Sequence, residues 1–140
     1  MKNRTALRFY VVLIILSCTT TIYAQRQAFL NIDWMYGEYP FTITCDEFEK
    51  GCSYKHVKLS VVEKKEFIAL LDNMPCLNKK VTIDTRYKGV VNSMNICGNE
   101  IFMCVDGKYF ETSKAMAKFL EKLYISRCTK EELSLPPIPD

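Results

Sequence analysis

One stretch leaves this chain little freedom in how it folds. From Val81 to Tyr124 it reads VTIDTRYKGVVNSMNICGNEIFMCVDGKYFETSKAMAKFLEKLY. Val81, Ile83, Thr85 and Tyr87 alternate with Thr82, Asp84, Arg86 and Lys88. One side of that strand is apolar and the other wet, as an antiparallel sheet requires. Gly89 and Asn92 weaken the strand afterwards and predict a bulge or bend. Asp106-Gly107 fits a type I′ hairpin turn, and Gly98-Asn99 fits a two-residue turn with glycine first.

Register follows from the turns. They place Met94 opposite Met103, Ile96 opposite Ile101, Met103 opposite Phe110 and Cys104 opposite Tyr109. One face then gathers Met94, Ile96, Ile101, Met103, Val105 and Phe110. The other holds Ser93, Asn95, Cys97, Glu100, Phe102, Cys104, Tyr109 and Glu111. Two independently assigned turns agree on a single apolar face, which supports a β-meander.

Two helices are expected to cover that face. Phe67, Leu70, Leu71 and Met74 form a stripe at helical spacing within a helix over about 63–74, ended by Asn73 and Pro75. Ser113 can cap a second helix over about 114–126, with Met116, Phe119, Leu120 and Leu123 on its apolar side. Further strands are predicted at 28–34, at 41–45 and at 56–62, where Val57, Leu59 and Val61 alternate with Lys58 and Ser60. The fold class is α+β: an antiparallel meander of about four to six strands with two amphipathic helices on one face.

The first residues read differently. Lys2, Arg4 and Arg8 precede an apolar run from Phe9 to Leu16, and a polar segment leads to Ala24. A basic, then apolar, then small-residue order is that of a secretory leader, cut after Ala24. The run is too short to span a bilayer, which takes about 20 apolar residues. Ile15-Leu16-Ser17-Cys18 resembles the lipobox of bacterial lipoproteins, a resemblance that would make Cys18 a lipidation site. Cleavage after Ala24 is preferred, because Leu16 fits its lipobox position imperfectly. The organisation expected is a leader over 1–24, one domain over 25–132 and an extended tail over 133–140 containing Pro136, Pro137 and Pro139.

Without the leader the charge is balanced. The chain holds 19 Lys plus Arg and 16 Asp plus Glu, and three of the basic residues lie in the leader. No surplus remains to neutralise phosphates, which argues against nucleic acid as a partner. Six cysteines follow the leader: Cys45, Cys52, Cys76, Cys97, Cys104 and Cys128. An even count in a small exported chain reads as a disulfide framework. Cys45 and Cys52 are close enough in sequence for a local bridge. In the register above, Cys104 lies four residues beyond the position opposite Cys97, about 13 Å away at about 3.3 Å per residue. A bridge needs Cα atoms within about 7 Å, so Cys97 and Cys104 are not expected to pair. Cys76–Cys97 with Cys104–Cys128 is the preferred remainder; Cys76–Cys104 with Cys97–Cys128 is the alternative.

Catalytic signatures are missing from the sequence. His56 is the only histidine, and neither paired C-x₂₋₄-C nor H-x₃₋₅-H spacing accompanies it, so no metal centre is predicted. There is no C-x-x-C, no G-x-S-x-G and no glycine-rich phosphate loop, and no cofactor is implied. Asp84 and Glu111 on strands would be the carboxylates of a hydrolase. His56 with an unpaired cysteine would serve a thiol enzyme. The preferred reading is a small secreted or periplasmic module that binds or inhibits without catalysis. Its partner would be another protein or an envelope or extracellular glycan, with membrane contact only through a lipid anchor. Trp34, Tyr36, Tyr39 and Phe41, with Tyr109 on the second sheet face, are the candidate contact residues. A structural envelope component anchored at Cys18 is the remaining alternative.

Overall fold

The computed structural model describes residues 28–33, 41–51, 53–130 and 132. The segments expected to be a leader and a tail, with Cys18, Trp34, Tyr36, Tyr39 and Cys52, lie outside them. In chain order the elements are β1 (Phe29–Ile32), α1 (Phe48–Gly51), β2 (Lys55–Lys58), α2 (Val61–Asp72), β3 (Cys76–Leu77), β4 (Tyr87–Val91), β5 (Met94–Gly98), β6 (Phe102–Val105), β7 (Lys108–Glu111) and α3 (Lys114–Ile125). The strands form one antiparallel sheet in the order β2-β1-β4-β5-β6-β7-β3. The class is the α+β class expected, with seven strands among the described residues rather than four to six. The additional pairing comes from β3, two residues beyond Pro75 that zip onto β7 through Cys76↔Phe110 and Leu77↔Tyr109.

The meander is real, but one of its registers differs from expectation. Asp106 and Gly107 have φ of 46° and 81°, as a type I′ turn needs, and Met103↔Phe110 and Cys104↔Tyr109 pair as expected. Gly98-Asn99 is not a turn. Ile96 pairs with Val105, and Gly98 with Met103, a shift of four residues from the expected register. The loop is Glu100-Ile101 instead, closed by the Asn99 side chain: its Oδ1 accepts from the amides of Ile101 at 2.9 Å and Phe102 at 2.8 Å. That is an Asx-turn, and it needs no glycine. Ile101 therefore leaves the apolar face and is exposed at the loop tip.

The strand expected over 80–88 also moves. Residues 81–85 form no strand; Thr85 meets Ile43, whose carbonyl accepts from its amide at 2.7 Å, and the ladder begins only at Tyr87. Gly89 sits mid-strand because β1 crosses close by; a Cβ there would stand 2.8 Å from the Leu30 Cα. The bend expected near Asn92 is a tight hairpin, with Asn92 and Ser93 at φ of 54° and 65°. Residues 41–45 form no strand, and the strand near His56 ends at Lys58, because Ser60 starts a helix.

Both long helices lie on the apolar face. Phe67, Leu71 and Met74 from the α2 side join Met116, Phe119, Leu120 and Leu123 of α3 in one core with Leu30, Ile32, Val57, Tyr87, Val91, Ile96, Met103 and Val105. Each large side chain fully buried there contributes about 1.5–3 kcal/mol. Ser60 and Glu63 make a reciprocal capping box, the hydroxyl accepting from the Glu63 amide at 3.2 Å and the Ser60 amide donating to the carboxylate at 2.7 Å. Ser113 caps α3 as expected, accepting from the Met116 amide at 3.1 Å. Arg127, just past α3, reaches back to Glu63 at 3.1 Å and closes the helix pair.

The opposite face is covered by the segment 41–51. Its own Ile43 and Phe48 are buried, and its start is fixed by the Asp84 carboxylate, which accepts from the Ile43 amide at 3.0 Å. A disulfide between Cys45 and Cys97, with Cα atoms 5.9 Å apart, pins this flap to the middle of the sheet. The bridge corrects both the local Cys45–Cys52 pairing and the preferred Cys76–Cys97 pairing. Cys76, Cys104 and Cys128 are thiols.

Candidate functional site

Antiparallel register lines up directly opposed residues on one face. Followed across the whole sheet, it produces a single row on the face that carries the flap: His56, Asn31, Lys88, Cys97, Cys104, Tyr109 and Leu77, one from each strand. The row is mostly polar, whereas the neighbouring rows point into the helical core. Asn31, buried inside the otherwise apolar strand β1, finds its partners in this row and in the flap.

The polar end of the row is a linked chain of hydrogen bonds. His56 Nδ1 lies 2.7 Å from Asn31 Oδ1, so this nitrogen carries the proton and donates. Asn31 Nδ2 donates to Glu49 Oε1 at 3.4 Å, and Lys88 Nζ donates to Glu49 Oε2 at 3.3 Å. Glu49 belongs to α1, so this chain ties the flap to the sheet by charge while Cys45 ties it covalently. Phe29 stacks obliquely on His56, ring centres 5.0 Å apart.

Two open grooves flank the bridge. The first, about 480 Å³, is lined by Phe29, Glu49, Lys88, Asn95, Cys97 and Asp106 among others. The second, about 560 Å³, is lined by Thr44, Lys80, Thr82, Ile83 and Tyr109. Cys45, Asp46 and Cys104 line both, so the bridge and the neighbouring thiol form the wall between them. Asp106 on the rim is held in place, accepting from the Asn95 amide at 2.9 Å.

The residues singled out from the sequence fall in different places. Tyr109 lines the second groove. Phe41 is exposed at the start of the flap, 64% accessible. Trp34, Tyr36 and Tyr39 lie outside the described residues. Asp84 is engaged structurally: one oxygen accepts from Ile43 and the other from the Arg86 guanidinium at 2.7 Å. Glu111 is exposed at the end of β7. Among the described residues no group of three or more His, Cys, Asp and Glu is placed to hold a metal ion. Among them, too, no helix is long and apolar enough to cross a membrane.

Sequence reasoning missed Asn31, Glu49 and Lys88. Their only signal was a polar residue inside an apolar strand in Asn31, and the β1–β4 pairing and the flap that join them bring together segments far apart in sequence. Compared with known proteins, the chain matches no family model, no curated protein and no solved structure.

Proposed function

We propose that this chain is a small extracytoplasmic binding module without catalysis, and that its partner lies along the flap-covered face of the sheet. The observation that carries this reading is the pair of grooves meeting at one wall of Cys45, Asp46 and Cys104. They are open and combine aromatic side chains with fixed charges, the composition of a recognition surface. The Cys45–Cys97 bridge supports the extracytoplasmic part, because such bonds persist in oxidising compartments. The Glu49–Lys88 pair and the Asp106 carboxylate offer opposite charges within one groove, which suits a polar protein segment or a glycan.

The test is capture of partners from culture supernatant and envelope extracts by the immobilised mature protein, beside Lys88→Glu and Tyr109→Ala. Species held through the grooves are expected to bind each variant at least about tenfold more weakly, equivalent to ~1.4 kcal/mol. Equal capture by the wild type and both variants, each folded by circular dichroism, would overturn the reading.

A further inference from the structure

Cys97 has two potential sulfur partners, not one. It is bonded to Cys45 from the flap. In the ladder it stands directly opposite Cys104, which is half-buried and carries a thiol. Directly opposed residues in an antiparallel pair have Cα atoms about 4.5–5.5 Å apart and side chains on the same face. That separation falls inside the range a disulfide spans, about 4.4–6.8 Å. The existing bridge, with Cα atoms 5.9 Å apart, falls in the same range. Cys104 and Cys45 also line the same two grooves, so the thiol and the bridge share one solvent-reached wall.

We propose that Cys104 is a resolving thiol for the Cys45–Cys97 bridge, and that exchange between the two pairings opens and closes the flap over the binding grooves. The Cys104 thiolate attacks the Cys97 sulfur. The Cys97–Cys104 bond forms, the Cys45–Cys97 bond breaks, and Cys45 leaves as a thiolate that takes up a proton. The proton lost from Cys104 goes to water. One disulfide and one thiol stand on each side of the step, so no oxidant or reductant is consumed. In the new pairing the bridge lies within the β5–β6 hairpin and no longer holds residues 41–51. The flap then depends on the burial of Ile43 and Phe48, on the Ile43–Asp84 and Ile43–Thr85 hydrogen bonds, and on the contacts of Glu49 with Asn31 and Lys88, without a covalent tie. Release bares the inner row and joins the two grooves into one. A partner that binds the joined groove would draw the bridge to Cys97–Cys104, and a partner thiol could compete for the same sulfur.

The inference rests on the flap-covered face being the binding face, but its test needs no ligand. Oxidised protein, purified without reductant, is held at about pH 8 to populate thiolate, then acid-quenched, alkylated and mapped as non-reduced peptides. Expected are a Cys97–Cys104 peptide beside the Cys45–Cys97 peptide, alkylated Cys45 in matching amount, and loss of both new species in Cys104→Ala. A map holding only Cys45–Cys97, with Cys104 fully alkylated, overturns the exchange. In Cys45→Ser treated with oxidised glutathione, Cys97 and Cys104 are expected to join each other. Separate glutathione adducts on both would overturn the pairing. Hydrogen exchange reads the flap: the amides of Ile43 and Thr85 are expected to lose protection in the Cys97–Cys104 form, and unchanged protection overturns the release. Capture that fails while the map succeeds refutes the binding reading alone, and the reverse refutes the exchange alone.

Discussion

Gly98 lies directly opposite Tyr87 across the β4–β5 ladder, and the space of its missing side chain is filled by the phenol ring. Tyr87 is fully buried, with its hydroxyl 3.4 Å from the Asn99 carbonyl oxygen, and burial pushes its ionisation far above the ordinary tyrosine range. A Cβ on Gly98 would stand 2.8 Å from the Tyr87 Cζ and 2.6 Å from the Phe102 carbonyl oxygen. Neither neighbour is a flexible chain end. Gly98→Ala is therefore expected to destabilise the domain by about 2–3 kcal/mol, read from the urea midpoint. A loss under about 0.5 kcal/mol would show that the ring can move aside.

The Asn99 side chain closes the β5–β6 loop through two amide donors and gives its own Nδ2 to the Asp84 carbonyl at 3.0 Å. Asn99→Ala strips the acceptor from partly buried amides, at a cost of about 2 kcal/mol. Asn99→Asp keeps the acceptor but sets a carboxylate oxygen against the Asp84 carbonyl, so it should recover only part of that loss in the same denaturation assay. Equal losses in the two variants would mean that the turn is not held by Oδ1.

The Cys45–Cys97 bridge closes a sequence separation of 52 residues. Chain-entropy reasoning gives such a loop about 4 kcal/mol of stabilisation. Cys97→Ser should lose about that much under oxidising conditions and nothing further on adding reductant. Cys76→Ser, at an exposed thiol, should stay within about 0.5 kcal/mol of the wild type. Urea unfolding with and without reductant compares all three.

Acid should loosen the helix pair. Burial alone would raise the Glu63 carboxyl, but the Ser60 amide and hydroxyl and the Arg127 guanidinium outweigh it and leave it below its ordinary value. A carboxyl lowered by folding stabilises fully above its unfolded value, and the gain is lost as pH falls through the folded one. Wild-type stability is thus expected to decline from the ordinary glutamate range downward. Glu63→Gln should begin about 0.5–1 kcal/mol less stable near neutrality and show a shallower acid limb. Thermal melts across acidic pH measure both slopes, and parallel curves would remove Glu63 as the cause.

The faces of the sheet were legible in the sequence, but the register was not. Side chains alternate with period two, so a slip of four residues between β5 and β6 leaves Met94, Ile96, Met103, Val105 and Phe110 on the apolar side. Face agreement could not detect the error; only Ile101, now in the loop, changed its surroundings. The misleading signal was Gly98, whose glycine serves the Tyr87 ring rather than a turn. The same slip placed Cys104 out of reach of Cys97, when the two are opposed. Helix ends were readable because Ser60 with Glu63, and Ser113, act locally. The flap was not, because Cys45 and Cys97 meet only through the fold, and no local pattern records a contact at that distance in sequence.

The two strands at the margins of the sheet are the ones least able to recruit a neighbour. β3 offers only Cys76 and Leu77, and β2 presents Lys55, His56 and Lys58 around one buried valine. Lys55 is further drawn to Glu132 at 2.6 Å, which brings the chain past α3 against that margin. The apolar, strand-prone segments of β4, β5 and β6 are all interior. A sheet terminated this way resists edge-to-edge growth into aggregates. Protection against edge pairing is thereby built into strand order, in a chain whose formal charge beyond residue 24 is zero and contributes little repulsion of its own.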